Sequence, residues 1–114
     1  MDITGVYRHF KGNYYRLIGP AVDTDTGEGY VLYRQMYAPF EYWIRPRDMF
    51  FGSRDTENGP VRRFTRVGIS FEPVPGAEDL SDARLLHSET LQPYRCTRII
   101  AQDGAAVYEV TRIL

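Results

Sequence analysis

Three residues near the start of the chain could bind or act on a ligand, because an aromatic ring, an imidazole and an ammonium group alternate as Tyr7, His9 and Lys11. Alternate side chains of a β-strand lie on the same face. Two later extended segments add two more rings and a guanidinium to such a face. Rings stack on bases or apolar groups, and a guanidinium forks onto a carboxylate or phosphate. The sequence therefore predicts an aromatic and cationic ligand-binding face made of Tyr7, His9, Lys11, Tyr33, Trp43 and Arg45.

Each of these residues also has a structural interpretation, which the sequence leaves open. Tyr7 and Trp43 could be half-buried core residues whose polar ends reach the backbone. His9 could be a satisfied structural histidine, and Lys11 a solvated residue beside the turn at Gly12. If the six residues do form a ligand-binding face, the opposite face of the same strands should hold the core. Its expected members are Val6, Phe10, Leu32 and Ile44.

The remaining reactive residue types do not form a catalytic or metal-binding pattern. Cys96 lies in the middle of a predicted strand beside Thr97, where it is expected to be a small buried hydrophobic residue. The run from His87 to Glu89 resembles a catalytic set only in composition, and its last residues should open a turn. No histidine or cysteine pair has ligand spacing, and no glycine-rich phosphate loop is present. We therefore expect no metal, no cofactor and no catalytic residue.

The elements that must position these side chains are β-strands joined by tight turns. Strands are predicted over 6–10, 14–18, 30–37, 42–45 and 61–67, with a single helical turn over 47–51. Gly19 and Pro20 should stop the second strand, and 52–60 should be a polar loop. Five short strands in about 65 residues favour a mainly β fold, a small SH3-like barrel or roll.

Residues after 67 have a different character. An acidic stretch is followed by a predicted short helix over 79–86 and by strands over 94–100 and 106–113, around a turn at 102–104. The sequence thus predicts a small β-barrel domain over 1–67 and an extension over 68–114 that packs on it. The hairpin of the extension could lengthen the sheet of the barrel, or it could pair with a second copy in a homodimer.

Composition limits the partners. The formal net charge of -1 argues against bulk attraction to nucleic acid or to an anionic membrane. No segment approaches the roughly 20 apolar residues of a membrane span. The first residues show no secretory pattern, and the single Cys96 fits a reducing compartment, so the expected location is the cytoplasm.

A specific resemblance covers residues 4–67. The residues that carry it occur in order as Gly5, Tyr7, His9, Lys11, Gly12 and Tyr15, then Val31, Tyr33, Arg34 and Tyr37, then Trp43, Arg45, Pro46, Met49 and Phe50, and finally Arg63 and Phe64. In these positions the chain resembles a bacterial family known as domain of unknown function 1653. The resemblance implies a domain boundary and a compact β fold, and it implies no activity.

Three functions remain open. The first is a non-catalytic binding module for an anionic small molecule, a nucleotide or a peptide segment of a protein partner. The second is a nucleic-acid-associated accessory domain, by analogy with SH3-like barrels. The third, less favoured, is a small enzyme that uses His9 as a base. In the second case the phosphate contacts would be Arg8, Arg16, Arg62, Arg63 and Arg66.

Overall fold

The computed structural model describes residues 3–68, 80–102 and 105–114, and it confirms a mainly β fold built around a small barrel. Within these described ranges the one helix is a single turn. The elements in chain order are β1 (Gly5–His9), β2 (Tyr14–Asp23), β3 (Gly29–Gln35), β4 (Tyr42–Pro46), α1 (Arg47–Phe50), β5 (Ser53–Thr56), β6 (Gly59–Arg62), β7 (Phe64–Gly68), β8 (Leu85–His87), β9 (Pro93–Gln102) and β10 (Ala105–Arg112).

Six strands close into the barrel, in the order β2, β3, β4, β8, β9, β10 and back to β2. Closure comes from a parallel pairing of β10 with β2, in which Tyr108 lies opposite Ala21. A second parallel pairing joins β4 to β8. Of the two interpretations of the C-terminal hairpin, the first is observed: β9 and β10 extend the sheet, and together with β8 they complete the barrel.

Strand β2 is longer than predicted, because it does not stop at Gly19 and Pro20. Its first part pairs with β1 and its last part with β10, so one edge of β2 serves two partners. The register shifts between Leu17 and Gly19, which is where the edge changes partner. A Cβ on Gly19 would lie 2.9 Å from Cε2 of Tyr108. The glycine therefore admits the tyrosine ring against the strand instead of ending the strand.

Side chains pack in two layers on opposite faces of β3. The inner core fills the barrel and receives residues from all six of its strands. Its buried members are Ile18, Ala21, Tyr30, Leu32, Ile44, Leu80, Leu85, Tyr94, Tyr108 and Val110. The outer core lies between the outside of the barrel and the covering elements β1, β7 and α1. Its buried members are Ile3, Tyr7, Leu17, Val31, Tyr33, Phe50 and Phe64.

Several local predictions need correction. The polar stretch after α1 forms the hairpin β5–β6 rather than an irregular loop. The short helix over 79–86 is not confirmed, because residues 81–82 form a turn and β8 follows. Val6 and Phe10 are only half-buried, since β1 lies beyond the barrel and its far face does not cover the inner core. Leu32 and Ile44 do lie in the inner core.

Parts of two predictions fall outside the described residues: most of the acidic stretch, 69–79, and positions 103–104 of the hairpin turn. Within the described ranges, no helix is long and apolar enough to cross a membrane.

Candidate functional site

Two of the six predicted site residues, Tyr7 and Tyr33, are interior residues and not part of an exposed face. Their exposed fractions are 5% and 2%. The hydroxyl of Tyr7 donates a hydrogen bond to the carbonyl oxygen of Ile3 at 2.8 Å, and its ring meets the ring of Phe50 edge-on. The expectation of an open surface is wrong for this pair because β7 and α1 cover that side of the sheet. For Tyr7 the structural interpretation is the correct one.

Trp43 is half-buried and packs against the outer core. Its indole Nε1 donates to Oε1 of Gln35 at 3.3 Å, and the same oxygen accepts the backbone N–H of Glu41 at 3.0 Å. Gln35 is itself buried, so these two donors satisfy an amide oxygen that would otherwise be costly to bury. The tryptophan is therefore held in place by this bond and by its packing against the outer core.

Arg45 lies at the rim of the outer core, where Tyr33 and Phe64 hold its side chain. Its Nε donates to the hydroxyl of Tyr33 at 3.1 Å, and its guanidinium lies 5.6 Å from the centre of the Phe64 ring. Burial raises the pKa of Tyr33, so its hydroxyl stays protonated, and the oxygen accepts the Arg45 bond through a lone pair. Tyr33 therefore positions a cation instead of meeting a ligand itself.

Two further arginines join His9, Lys11 and Arg45 at this rim. The guanidinium of Arg54 and the ammonium of Lys11 lie 5.6 Å and 5.8 Å from the centre of the same ring, that of Phe10. Arg63 is anchored by its Nε, which donates to the carbonyl oxygen of Met49 at 3.2 Å. We call Lys11, Arg45, Arg54 and Arg63 the cation cluster.

The charges of the cation cluster act on His9. Partial burial, followed by the charges of Arg45, Lys11, Arg63 and Arg54, lowers the pKa of His9 from 6.5 to about 4. The imidazole is therefore neutral at pH 7. Its Nδ1 accepts the backbone N–H of Lys11 at 3.2 Å, which leaves the proton on Nε2 as a donor. The pKa of Arg63 is also lowered, mainly by burial and then by the charges of Arg45 and Arg54.

Aromatic rings line the floor beneath these cations. The His9 ring lies 4.9 Å from the ring of Phe64 and 6.3 Å from that of Tyr15, measured between centres. The Tyr15 and Tyr37 hydroxyls are 2.6 Å apart and share a hydrogen bond. Burial, followed by that bond, raises the pKa of Tyr15, so the Tyr15 hydroxyl is uncharged at neutral pH. The arrangement combines positive charge with flat apolar surfaces.

One carboxylate enters this site from the C-terminal extension. Glu89 Oε1 lies 3.5 Å from Nη1 of Arg45. Glu89 sits in a turn in which Nδ1 of His87 accepts the backbone N–H groups of Glu89 and Thr90, at 3.1 Å and 3.3 Å. The prediction that this run opens a turn is confirmed, and His87 is occupied by the backbone of that turn. No pattern in the sequence links Glu89 to Arg45.

The arginines predicted to contact nucleic acid do not form one surface. Arg63 belongs to the cation cluster, and Nη2 of Arg66 donates to the carbonyl oxygen of Thr4 at 2.7 Å. Arg8 lies on the face of β1 opposite His9, since neighbouring residues of a strand point to opposite faces. Arg16 shares that second face. Arg63 is already named by the family motif, whereas Arg54 lies in the hairpin β5–β6, which the sequence does not predict.

Comparison with known proteins identifies the segment that carries the cation cluster. Residues 5–66 match the family model described as "Protein of unknown function (DUF1653)". A crystal structure of a protein belonging to DUF1653 from Bordetella bronchiseptica is similar, with 36% sequence identity and a TM-score of 0.53. The match covers 60% of this chain and 91% of that one. The comparison with curated proteins found no match. The family model spans more than half of the chain and elements β1 to β6 in full, and the chain therefore belongs to the DUF1653 family.

Proposed function

We propose that this protein is a non-catalytic module that binds a phosphate-bearing small molecule at the cation cluster. The observation that carries the proposal is the gathering of Arg45, Arg54, Arg63 and Lys11 around the neutral ring of His9. Like charges held this close repel one another, and an anion would relieve that repulsion. Guanidinium groups are suited to it because their planar fork matches the oxygen atoms of a phosphate.

The aromatic rings beside the cation cluster favour a ligand that has a flat aromatic part. Phe10 lies beneath two of the cations, and Phe64 lies beneath Arg45. Phe10 is half-buried, so part of its surface is open to a stacking partner. A nucleotide or a similar phosphorylated aromatic compound combines the two features. We propose that the protein works in the cytoplasm, which the single Cys96 supports.

Inorganic phosphate is the simplest probe of this site. We expect titration calorimetry at pH 7 to detect phosphate binding, and Arg54→Gln to weaken it about threefold to tenfold, because one charge-assisted contact is lost. Arg54 is the preferred position because it is exposed on the hairpin β5–β6, where the substitution should not disturb packing. Arg63→Gln should weaken binding by a similar factor.

The matched control is Arg95→Gln. This residue is exposed on β9, and its replacement changes the net charge by the same amount. It should leave phosphate affinity unchanged. The proposal fails if the unmodified protein does not bind phosphate, or if the control weakens binding as much as Arg54→Gln does.

A second candidate, binding of single-stranded nucleic acid, is favoured by one observation on the other face of the sheet. Arg16, Arg34 and Tyr42 lie in one cross-strand row, and Arg8 lies opposite the exposed Tyr14 in the next. Rings beside arginines are the usual components of such surfaces. Single-stranded DNA binding that weakens with salt and survives Arg54→Gln would favour this candidate.

A further inference from the structure

The Glu89 carboxylate is an anion already present at the cation cluster. It pairs with Arg45 at 3.5 Å, and it comes from outside the segment that matches the family model, residues 5–66. An anionic ligand that binds Arg45 must therefore either approach the Glu89 carboxylate or displace it.

The backbone of this turn is fixed by hydrogen bonds, whereas the Glu89 side chain is partly exposed. Strand β8 pairs with β4 so that His87 lies opposite Ile44, and the N–H of Ser88 donates to the carbonyl oxygen of Ile44 at 2.8 Å. These bonds set Glu89 beside Arg45, the residue after Ile44. The Glu89 side chain is nevertheless 45% exposed, against 14% for Arg45.

We propose that Glu89 is a displaceable internal anion, which occupies Arg45 in the empty site and competes with the phosphate group of a ligand. This inference rests on the proposed function, and it assigns to the C-terminal extension a role in setting the affinity of the site.

The geometry of the pair makes displacement feasible. A distance of 3.5 Å is longer than that of a strong charge-assisted hydrogen bond, about 2.7–2.9 Å, and a half-exposed carboxylate is well screened by solvent. Arg45 does not depend on Glu89 for its position, because Tyr33 and Phe64 hold its guanidinium from the other side. The cation would therefore stay in place when the carboxylate leaves.

The carboxylate also influences more of the cluster than Arg45. Its charge raises the pKa of Arg63, against the larger lowering caused by burial and by Arg45. Because Glu89 is tethered, its concentration at the site is high and constant, so a free anion must compete against it at every ligand concentration. Removing the charge should increase affinity for phosphate.

Titration calorimetry with inorganic phosphate at pH 7 tests this on the full chain. We expect Glu89→Gln to bind phosphate about threefold to tenfold more tightly than the unmodified protein, since an exposed ion pair and one unit of negative charge are removed. The matched control is Glu109→Gln in the same extension, where Glu109 Oε1 lies 3.6 Å from Nε of Arg98. The control should leave affinity unchanged.

Backbone amide signals give a second readout. In the unmodified protein, phosphate should shift the signals of Glu89 and Thr90 as the carboxylate leaves Arg45. Equal or weaker phosphate binding by Glu89→Gln, with binding by the unmodified protein intact, overturns this inference and leaves the proposed function standing. A gain by Glu109→Gln as large as that of Glu89→Gln also overturns it. If the unmodified protein does not bind phosphate, the proposed function fails, and this inference fails with it.

Discussion

Replacing Phe50 with alanine should reduce the free energy of unfolding by about 3–5 kcal/mol, the usual cost of removing a buried phenyl ring. Phe50 is fully buried in the outer core. Its ring stacks on that of Phe64 with centres 4.1 Å apart and planes 7° apart, and it meets the ring of Tyr33 edge-on. The single turn of α1 places it there, so the substitution should also loosen the support of Arg45 and weaken phosphate binding.

Urea denaturation followed by tryptophan fluorescence measures this effect, because Trp43 is the one tryptophan of the chain and packs on the outer core. The control is Phe40→Ala. Phe40 is 49% exposed, and it already has a positive φ of 58°, which alanine would share. The control should cost less than about 1 kcal/mol. A loss below 1 kcal/mol for Phe50→Ala would show that α1 does not close the outer core.

Replacing Tyr108 with alanine should also reduce the free energy of unfolding by about 3–5 kcal/mol. The loss should be visible in the fluorescence of Trp43, which lies in another part of the chain. Tyr108 is fully buried in the inner core, and its ring lies against Gly19 of β2. Residues 5–66, which match the family model, and the C-terminal extension thus contribute to the same barrel interior. We expect them to unfold together, so loss of Tyr108 should destabilise the region around Trp43 as well.

Far-ultraviolet circular dichroism and Trp43 fluorescence, recorded on the same urea series, test this coupling. The two midpoints should coincide in the unmodified protein and move together in Tyr108→Ala. Tyr14→Ala is the matched control, since Tyr14 is half exposed and its loss should shift neither midpoint much. If circular dichroism shifts in Tyr108→Ala while the fluorescence midpoint stays, the two parts of the chain fold independently.

The strands that can be predicted from sequence are those whose pattern is local. Tyr30 to Tyr33 has a buried side chain at every position, and this is why that run is the strongest strand in the sequence. The wrong prediction that β2 ends at Gly19 and Pro20 has a non-local cause. These two residues are a local stop signal, but the strand continues because Gly19 accommodates Tyr108, almost ninety residues further along the chain. Closure through parallel pairing of β10 with β2 leaves no local signal.

The candidate site shows the same limit. Alternation correctly groups His9 with Tyr7, but it cannot say that α1 and β7 cover one end of that face and leave the other end at the rim. Arg54 was missed because its strand belongs to a polar stretch that resembles a loop. Glu89 was missed because its proximity to Arg45 depends on the pairing of β8 with β4. Sequence alone thus predicts the chemical character of the site, and tertiary pairing determines its members.

The most direct test of the anion site is the titration of His9 by nuclear magnetic resonance, with and without sulfate, which keeps its double charge over the relevant pH range. Without sulfate, the imidazole should titrate with a pKa of about 4, because burial and the four surrounding cations disfavour its protonated form. Bound sulfate supplies opposite charge and should raise that pKa. A His9 pKa near the ordinary 6.5 without sulfate, or the same pKa in both conditions, would contradict the account.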